Sequence, residues 1–173
     1  ADWHEAERLR RSSRERGVEG LMLKRKTTTY GVGRRRGDWW KLKVDPFTID
    51  AVMVAAQPGS GKRASLFTDY TFAVRDGEEL VTIAKAYSGL SYEEIRQIDR
   101  WVRQHTTARH GPVRSVEPTQ VFELAFEDVR ASDRHKSGLA LRFPRMARRR
   151  PDKTVDEIDA LDDVRALMQV AWR

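Results

Sequence analysis

The chain is 173 residues long, enough to bury one sizeable core, or to form one domain carrying part of another. Its 33 lysines and arginines outnumber 26 aspartates and glutamates, and the net charge of +7 favours polyanionic partners, nucleic acid first. Without cysteine there is no disulfide, thiolate metal site or thiol nucleophile, and no apolar run approaches the ~20 residues that cross a bilayer. The start, Ala1 to Glu5, lacks the apolar core of a secretion signal, so we expect a soluble cytoplasmic protein with no membrane partner.

Trp3, Ala6 and Leu9 stand at helical spacing and predict a short amphipathic helix from Trp3 to about Arg16, closed by Gly17. Val18 to Lys26 follows as a strand centred on Leu21, Met22 and Leu23, and Asp38 to Val44 as a second strand beyond a basic loop. These first residues hold too few apolar groups to close a core, so they read as an incomplete domain with exposed strand edges, open to self-association. Asp45-Pro46 marks a boundary, because proline keeps its predecessor out of helix and cannot extend a central ladder.

Beyond it, Phe47 to Ala56, Leu66 to Val74 and Leu80 to Ala86 predict a three-stranded meander, its last turn at Asp76-Gly77. Ser91 and Glu94 form a capping box that opens a helix with Ile95, Ile98, Trp101 and Val102 on one face, ending before Gly111-Pro112. Gln120 to Arg130 alternates as a strand with Phe122, Leu124 and Phe126 inward. Gly138 to Phe143 makes a fifth strand, and Val155, Ile158, Leu161, Val164 and Leu167 give a final helix from about Thr154 to Trp172. Three strands, a helix and two strands fit an oligonucleotide-binding (OB) barrel; a small SH3-like barrel or an unrelated α+β domain gives the same order.

Two stretches carry chemistry. Alternation along Trp39-Trp40-Lys41-Leu42-Lys43 puts Lys41 and Lys43 on one side of their strand, where two ammonium groups repel unless an anion lies between them; a phosphate suits the place, and a solvated edge strand is the plainer account. Glu19 could hold a divalent cation near the same phosphate. Near the other end, Arg142-Phe143-Pro144-Arg145 runs through Arg148 and Arg150 to Asp152 and Lys153, which is either a phosphate-binding cluster or a solvated basic tail. Pro58-Gly59-Ser60-Gly61-Lys62 imitates a P-loop, but Ala56 takes the first glycine position and Arg63 the hydroxyl position, so we read a basic turn whose Lys62 and Arg63 touch a DNA backbone.

Glu19-Gly20 with its apolar run and Lys24, followed by Trp39 to Lys43, resembles motifs IV and V of the covalent nucleotidyltransferases, and Arg142 to Lys153 resembles motif VI of their DNA ligase members. Asp133 to Gly138 is similar to the stretch before that motif. The resemblance implies a mainly β chain with helices: residues 1–44 as the end of an adenylylation domain, and 45–173 as a five-stranded OB domain with a C-terminal helix. It implies that Glu19 serves a catalytic Mg or Mn ion and that Lys41 and Lys43 contact the α-phosphate of ATP. It also implies that Arg150, Asp152 and Lys153 engage the β- and γ-phosphates, with Arg142 and Arg145 in support. Nicked duplex DNA is the implied partner, with Arg34, Lys62, Arg63, Arg142, Arg145 and Arg148 on its backbone, sealed through lysyl-AMP and DNA-adenylate intermediates. Trp40 stands where the family usually has leucine, and Pro151 where relatives are often acidic.

The family's nucleophile, a lysine followed by any residue, aspartate and glycine, is absent from these residues. Arg75-Asp76-Gly77 reads as a hairpin turn, and a guanidinium that stays protonated has no lone pair to attack phosphorus. We therefore expect the parent to be an ATP-dependent DNA ligase, and this piece to be inactive alone, to bind no cofactor tightly, and to need the missing first part of the adenylylation domain. The alternatives are a piece of an RNA ligase or capping guanylyltransferase, and a non-catalytic OB module binding single strands through stacked aromatics.

Overall fold

A computed structural model of the chain describes residues 2–170. Those residues separate into two compact units, one running to Asp45 and one spanning Pro46–Met168.

In the first unit, α1 (Trp3–Arg11) starts at Asp2, whose carboxylate accepts from the Glu5 N–H at 2.8 Å. It ends five residues before the expected Arg16. The Ser12 and Ser13 hydroxyls both bond back to the Leu9 carbonyl, competing with the ladder, and a series of turns follows to Gly17 at φ +64°. Strands β1 (Gly20–Lys24) and β2 (Trp39–Lys43) pair antiparallel, Gly20 opposite Lys43 and Lys24 opposite Trp39. Both are shorter than their sequence expectation.

The second unit is a mostly β fold built on a five-strand path with a branch. Its strands are β3 (Phe47–Pro58), β4 (Phe67–Asp76), β5 (Glu79–Ala86), β6 (Thr106–His110), β7 (Val113–Val116), β8 (Val121–Phe126), β9 (Asp128–Ala131), β10 (Leu139–Arg142) and β11 (Arg145–Arg149). The sheet runs β11-β8-β3-β4-β5, the β6-β7 hairpin joins it through β3, and β9 and β10 form a separate pair, with β10 coming beside β5. Bulges in β3, β4 and β11 bend these strands, the usual device for curling a sheet toward a barrel.

Helix α2 (Tyr92–Gln104) opens with the expected capping box, but stops before the β-branched pair Thr106-Thr107; the rest of the expected helix is the β6-β7 hairpin, turned at Gly111 with φ +59°. The Gln120 to Arg130 strand breaks at Glu127 into β8 and β9. What reads as a basic tail after Pro144 is β11, an edge strand paired with β8. The final helix begins later than Thr154. The Thr154–Glu157 capping box closes only a 3-10 turn, Ile158 is extended, and α3 (Leu161–Val170) starts after Asp163 caps the Ala160 N–H at 2.8 Å. Trp172 lies outside the described residues.

The main core gathers Ile49, Ala51, Met53, Phe72, Phe122, Leu124 and Phe126 from the strands with Ile98 and Val102 of α2, and Leu161 and Val164 of α3. A second, smaller core lies on the opposite face of the sheet, where Val52, Ala73 and Val121 meet Ile158. Asp50 shares the alternation of Val52, so its side chain leaves β3 on this second face.

Candidate functional site

In the first unit, Lys41 and Lys43 share one face of β2, as alternation requires. The Lys43 ammonium lies 3.6 Å from the Glu19 carboxylate, and the Val44 N–H donates to the Glu19 carbonyl at 3.2 Å. Lys41 is exposed opposite Met22. Gly20 makes this closeness achievable: at φ +136°, any Cβ would lie 2.3 Å from the Leu42 carbonyl oxygen. From α1, Arg10 Nε donates to the Lys43 carbonyl at 2.6 Å and Arg10 Nη2 meets Asp45 at 3.1 Å, which fixes the end of β2.

Lys24 organises the loop between the strands. Its ammonium donates to Tyr30 Oη at 2.8 Å and lies 4.3 Å from the Trp39 ring centre, while Tyr30 and Trp39 meet edge to face at 4.7 Å. Arg34 is exposed on that loop. The sequence reading places Lys24 in the motif IV resemblance but gives neither it nor Tyr30 a role, and the nearby cation and aromatic side chains are the signal that joins them.

In the second unit, Arg150, Asp152 and Lys153 come together around a residue that the sequence reading missed. Arg150 Nη1 donates to both oxygens of Asp50, at 3.1 and 3.0 Å, and Lys153 Nζ donates to Asp50 Oδ2 at 2.6 Å. Arg150 Nε and Nη2 turn the other way, to Asp152 at 3.0 and 2.7 Å. Asp50 and Glu123 stand opposite each other in the β3-β8 register, and Arg150 Nη1 lies 3.8 Å from Glu123 Oε2. Two like charges at directly opposed positions repel, and the guanidinium between them removes that cost. The Asp152 bond raises the Arg150 pKa further above its ordinary value, the Asp50 bond raises that of Lys153, and the Arg150 bond pulls Asp152 down to about 2.

The remaining cations differ in availability. Arg145 is bonded to the buried Glu127 at 3.2 Å, and Arg148 to Glu123 at 2.9 Å. Arg142 ends β10 with its guanidinium 5.1 Å from the Phe143 ring centre, at a turn where Phe143 takes φ +52°. Lys62 and Arg63 sit exposed on the 3-10 turn Gly61–Arg63 between β3 and β4.

Among the described residues no group of three His, Asp or Glu side chains is arranged to hold a metal. Mg²⁺ needs no such cage, since one or two carboxylates with phosphate oxygens and waters complete its octahedron, and Glu19 fits that role. No helix among the described residues is long and apolar enough to cross a membrane.

Residues 63–153 match the profile of the ATP dependent DNA ligase C terminal region, and residues 1–43 that of the ATP dependent DNA ligase domain. Among curated proteins the chain is 54% identical to a probable DNA ligase of Koribacter versatilis over 91% of its own length and 27% of the relative's. It is 48% identical to one of Opitutus terrae over 92% and 16%, and 41% identical to a DNA ligase of Halorubrum lacusprofundi over 86% and 25%. The chain thus spans about a quarter or less of these relatives. Its fold matches the ligase domain of M. tuberculosis LigD at 22% identity with a TM-score of 0.57, covering 87% of this chain and 50% of that one. A structure from a study of Lig E DNA ligases matches at 21% identity and 0.58, covering 87% and 47%. The second unit has the expected mainly β, OB-type fold of these ligase structures as a curled sheet, but the fifth strand of its path is β11, whereas the expected Gly138 to Phe143 strand is β10 and pairs with β9 in a separate sheet.

Proposed function

The chain belongs to the ATP-dependent DNA ligases, and from that premise we propose that it supplies the phosphate-handling groups of a nick-sealing enzyme. In this reading residues 1–44 are the end of the adenylylation domain and 45–173 the OB domain. The nucleophilic lysine of lysyl-AMP lies in sequence other than these 173 residues, so the chain by itself takes no AMP.

The observation that carries this is the β1-β2 pair, where Lys41 and Lys43 share a face and Glu19 lies 3.6 Å from Lys43. An α-phosphate accumulating charge under attack is stabilised by fixed cations that need no reorganisation, which is what two lysines on a short ladder offer. Glu19 would hold Mg or Mn, which supplies Lewis-acid polarisation of a phosphate oxygen when bound. Arg150 and Lys153 would meet the β- and γ-phosphates, aligning pyrophosphate as leaving group, and Asp152 would hold the Arg150 fork in place until they arrive.

Nicked duplex DNA is the proposed substrate, held along its backbone by Arg34, Lys62, Arg63, Arg142, Arg145 and Arg148. A chain without cysteine suits the reducing cytoplasm. The outer edges of β1 and β2 have no strand partner among the described residues and offer pairing to a second copy; a strict monomer by light scattering at high concentration would remove that idea.

The test of the main reading is adenylylation of a longer polypeptide that contains this chain, followed with ATP radiolabelled at the α-phosphate. Lys41→Ala and Lys43→Ala should each reduce labelling severely. Labelling at the wild-type level in both would sink the assignment.

A further inference from the structure

Asp50 belongs to no motif that the sequence reading singled out, yet it touches both basic residues of the 150–153 segment. Asp50, buried at 8% exposure as a residue, sits on β3 near the segment that runs from β11 to α3. Both of its backbone polar groups are held by one residue: the Asp50 N–H donates to Asp159 Oδ2 at 2.6 Å, and its carbonyl accepts from the Asp159 N–H at 3.0 Å. A carboxylate fixed at its root in this way defines where its two cationic partners must stand.

The two carboxylates on Arg150 are not equivalent. Asp50, with 11% of its side chain exposed, holds the inward Nη1, whereas Asp152, with 60% exposed, covers the outward Nε and Nη2 edge. That outward edge is the planar fork that pairs with phosphate. A polyphosphate arriving from solvent can displace an exposed carboxylate, but it cannot reach a buried one behind the guanidinium. Lys153 has the same polarity: of its three N–H donors one is given to Asp50 and one, at 3.5 Å, to the Glu157 carbonyl, while 28% of its side chain stays exposed.

We infer that Asp50 is a positioning residue: it anchors Arg150 and Lys153 from within the sheet, aiming their outward donors at a polyphosphate, and stays bonded when that ligand binds. This rests on the reading that Arg150 and Lys153 meet the β- and γ-phosphates. The role differs from charge neutralisation, because a neutralising carboxylate would compete with phosphate and its removal would tighten binding.

The 173-residue chain itself serves for the test, with inorganic tripolyphosphate as probe and calorimetry and nitrogen-15 and carbon-13 NMR as readouts. Arg150→Ala and Lys153→Ala should abolish the interaction, and if neither weakens it the phosphate reading fails and Asp50 has nothing to position. Given that those two variants lose binding, Asp50→Asn should bind about tenfold more weakly, the size of one hydrogen bond to a charged group. The Arg150 Nη1 and Lys153 Nζ signals, the two groups bonded to Asp50, should also move to the positions of freely rotating groups. Binding by Asp50→Asn that equals or exceeds wild type overturns the inference while leaving the phosphate reading intact. Should Asp50→Asn fail to give a native spectrum, the wild-type chain decides alone. The Asp50 carboxyl carbon-13 signal must hold its position when tripolyphosphate is added, and its move to that of an unbonded carboxylate would show that Asp50 competes with phosphate and does not anchor the cations.

Discussion

The Glu19 carboxylate and the Lys43 ammonium face each other at 3.6 Å across the end of the β1-β2 ladder, with 37% and 44% of their side chains exposed. An ion pair that open contributes at most about 1 kcal/mol, so stability gives no strong reason for it. Glu19→Gln is accordingly expected to shift the chemical denaturation of the chain by less than about 1 kcal/mol. In the longer polypeptide the same substitution should sharply reduce transfer of the radiolabel and raise the metal concentration needed for half-maximal labelling. Loss of folding without a change in metal dependence would assign the pair to structure.

Gly20 is held where no side chain fits, since a Cβ would lie 2.3 Å from the Leu42 carbonyl oxygen and 2.7 Å from the Lys43 Cα at φ +136°. The opposing atoms are backbone, so no rotamer change relieves the clash. Gly20→Ala should destabilise β1-β2 by at least about 1–3 kcal/mol, the cost of an unfavourable backbone region before the contact is counted. Amide exchange at Leu21 and Leu42 reads it directly, and unchanged protection there would contradict the geometry.

How much of this was legible beforehand depends on how far apart the partners stand. Alternation placed Lys41 and Lys43 on one face, and the capping box at Ser91 and Glu94 opened its helix, because both signals lie within a few residues. Asp50 was not legible: it interrupts an apolar strand, but its partners Arg150 and Lys153 are 100 and 103 positions away. The final helix is expected early because Val155 and Ile158 continue the apolar spacing of Leu161, Val164 and Leu167, whereas Val155 lies in a single 3-10 turn and Ile158 is extended. The strand at Arg145 to Arg149 is not legible in the basic run, read as either a phosphate-binding cluster or a solvated tail, because a bulge at Ala147 breaks the strand period and only the pairing with β8 reveals it.

Asp152 offers a check on the Arg150 fork. The bond from Arg150 lowers its pKa from the ordinary 3.8 to about 2. A depressed carboxyl pKa means that the folded state binds the proton less readily than the unfolded one. The stabilisation is present above 3.8 and lost as pH falls toward about 2. Carbon-13 titration of the Asp152 carboxyl should give a midpoint near that lower value in the wild type. Arg150→Lys, which has no planar fork, should return it toward the ordinary range; an equal midpoint in both chains would mean that another group holds the charge.

Salt dependence separates the cations proposed to meet DNA. Arg145 and Arg148 already spend donors on Glu127 and Glu123, whereas Lys62 and Arg63 stand exposed on the turn between β3 and β4. A cation committed to a carboxylate releases few counterions when DNA arrives, because its charge is compensated beforehand. Each freely presented cation that neutralises a phosphate adds about 0.9 to the slope of log affinity against log salt on duplex DNA. Anisotropy titrations of the chain with a nicked duplex should therefore show weak, salt-sensitive binding. The joint change Lys62→Ala with Arg63→Ala should flatten the slope by nearly two, and Arg145→Ala with Arg148→Ala by clearly less. Equal slopes for the two pairs would show that the carboxylates yield to the phosphates, and stronger binding to single strands than to duplex would favour a stacking surface over backbone neutralisation.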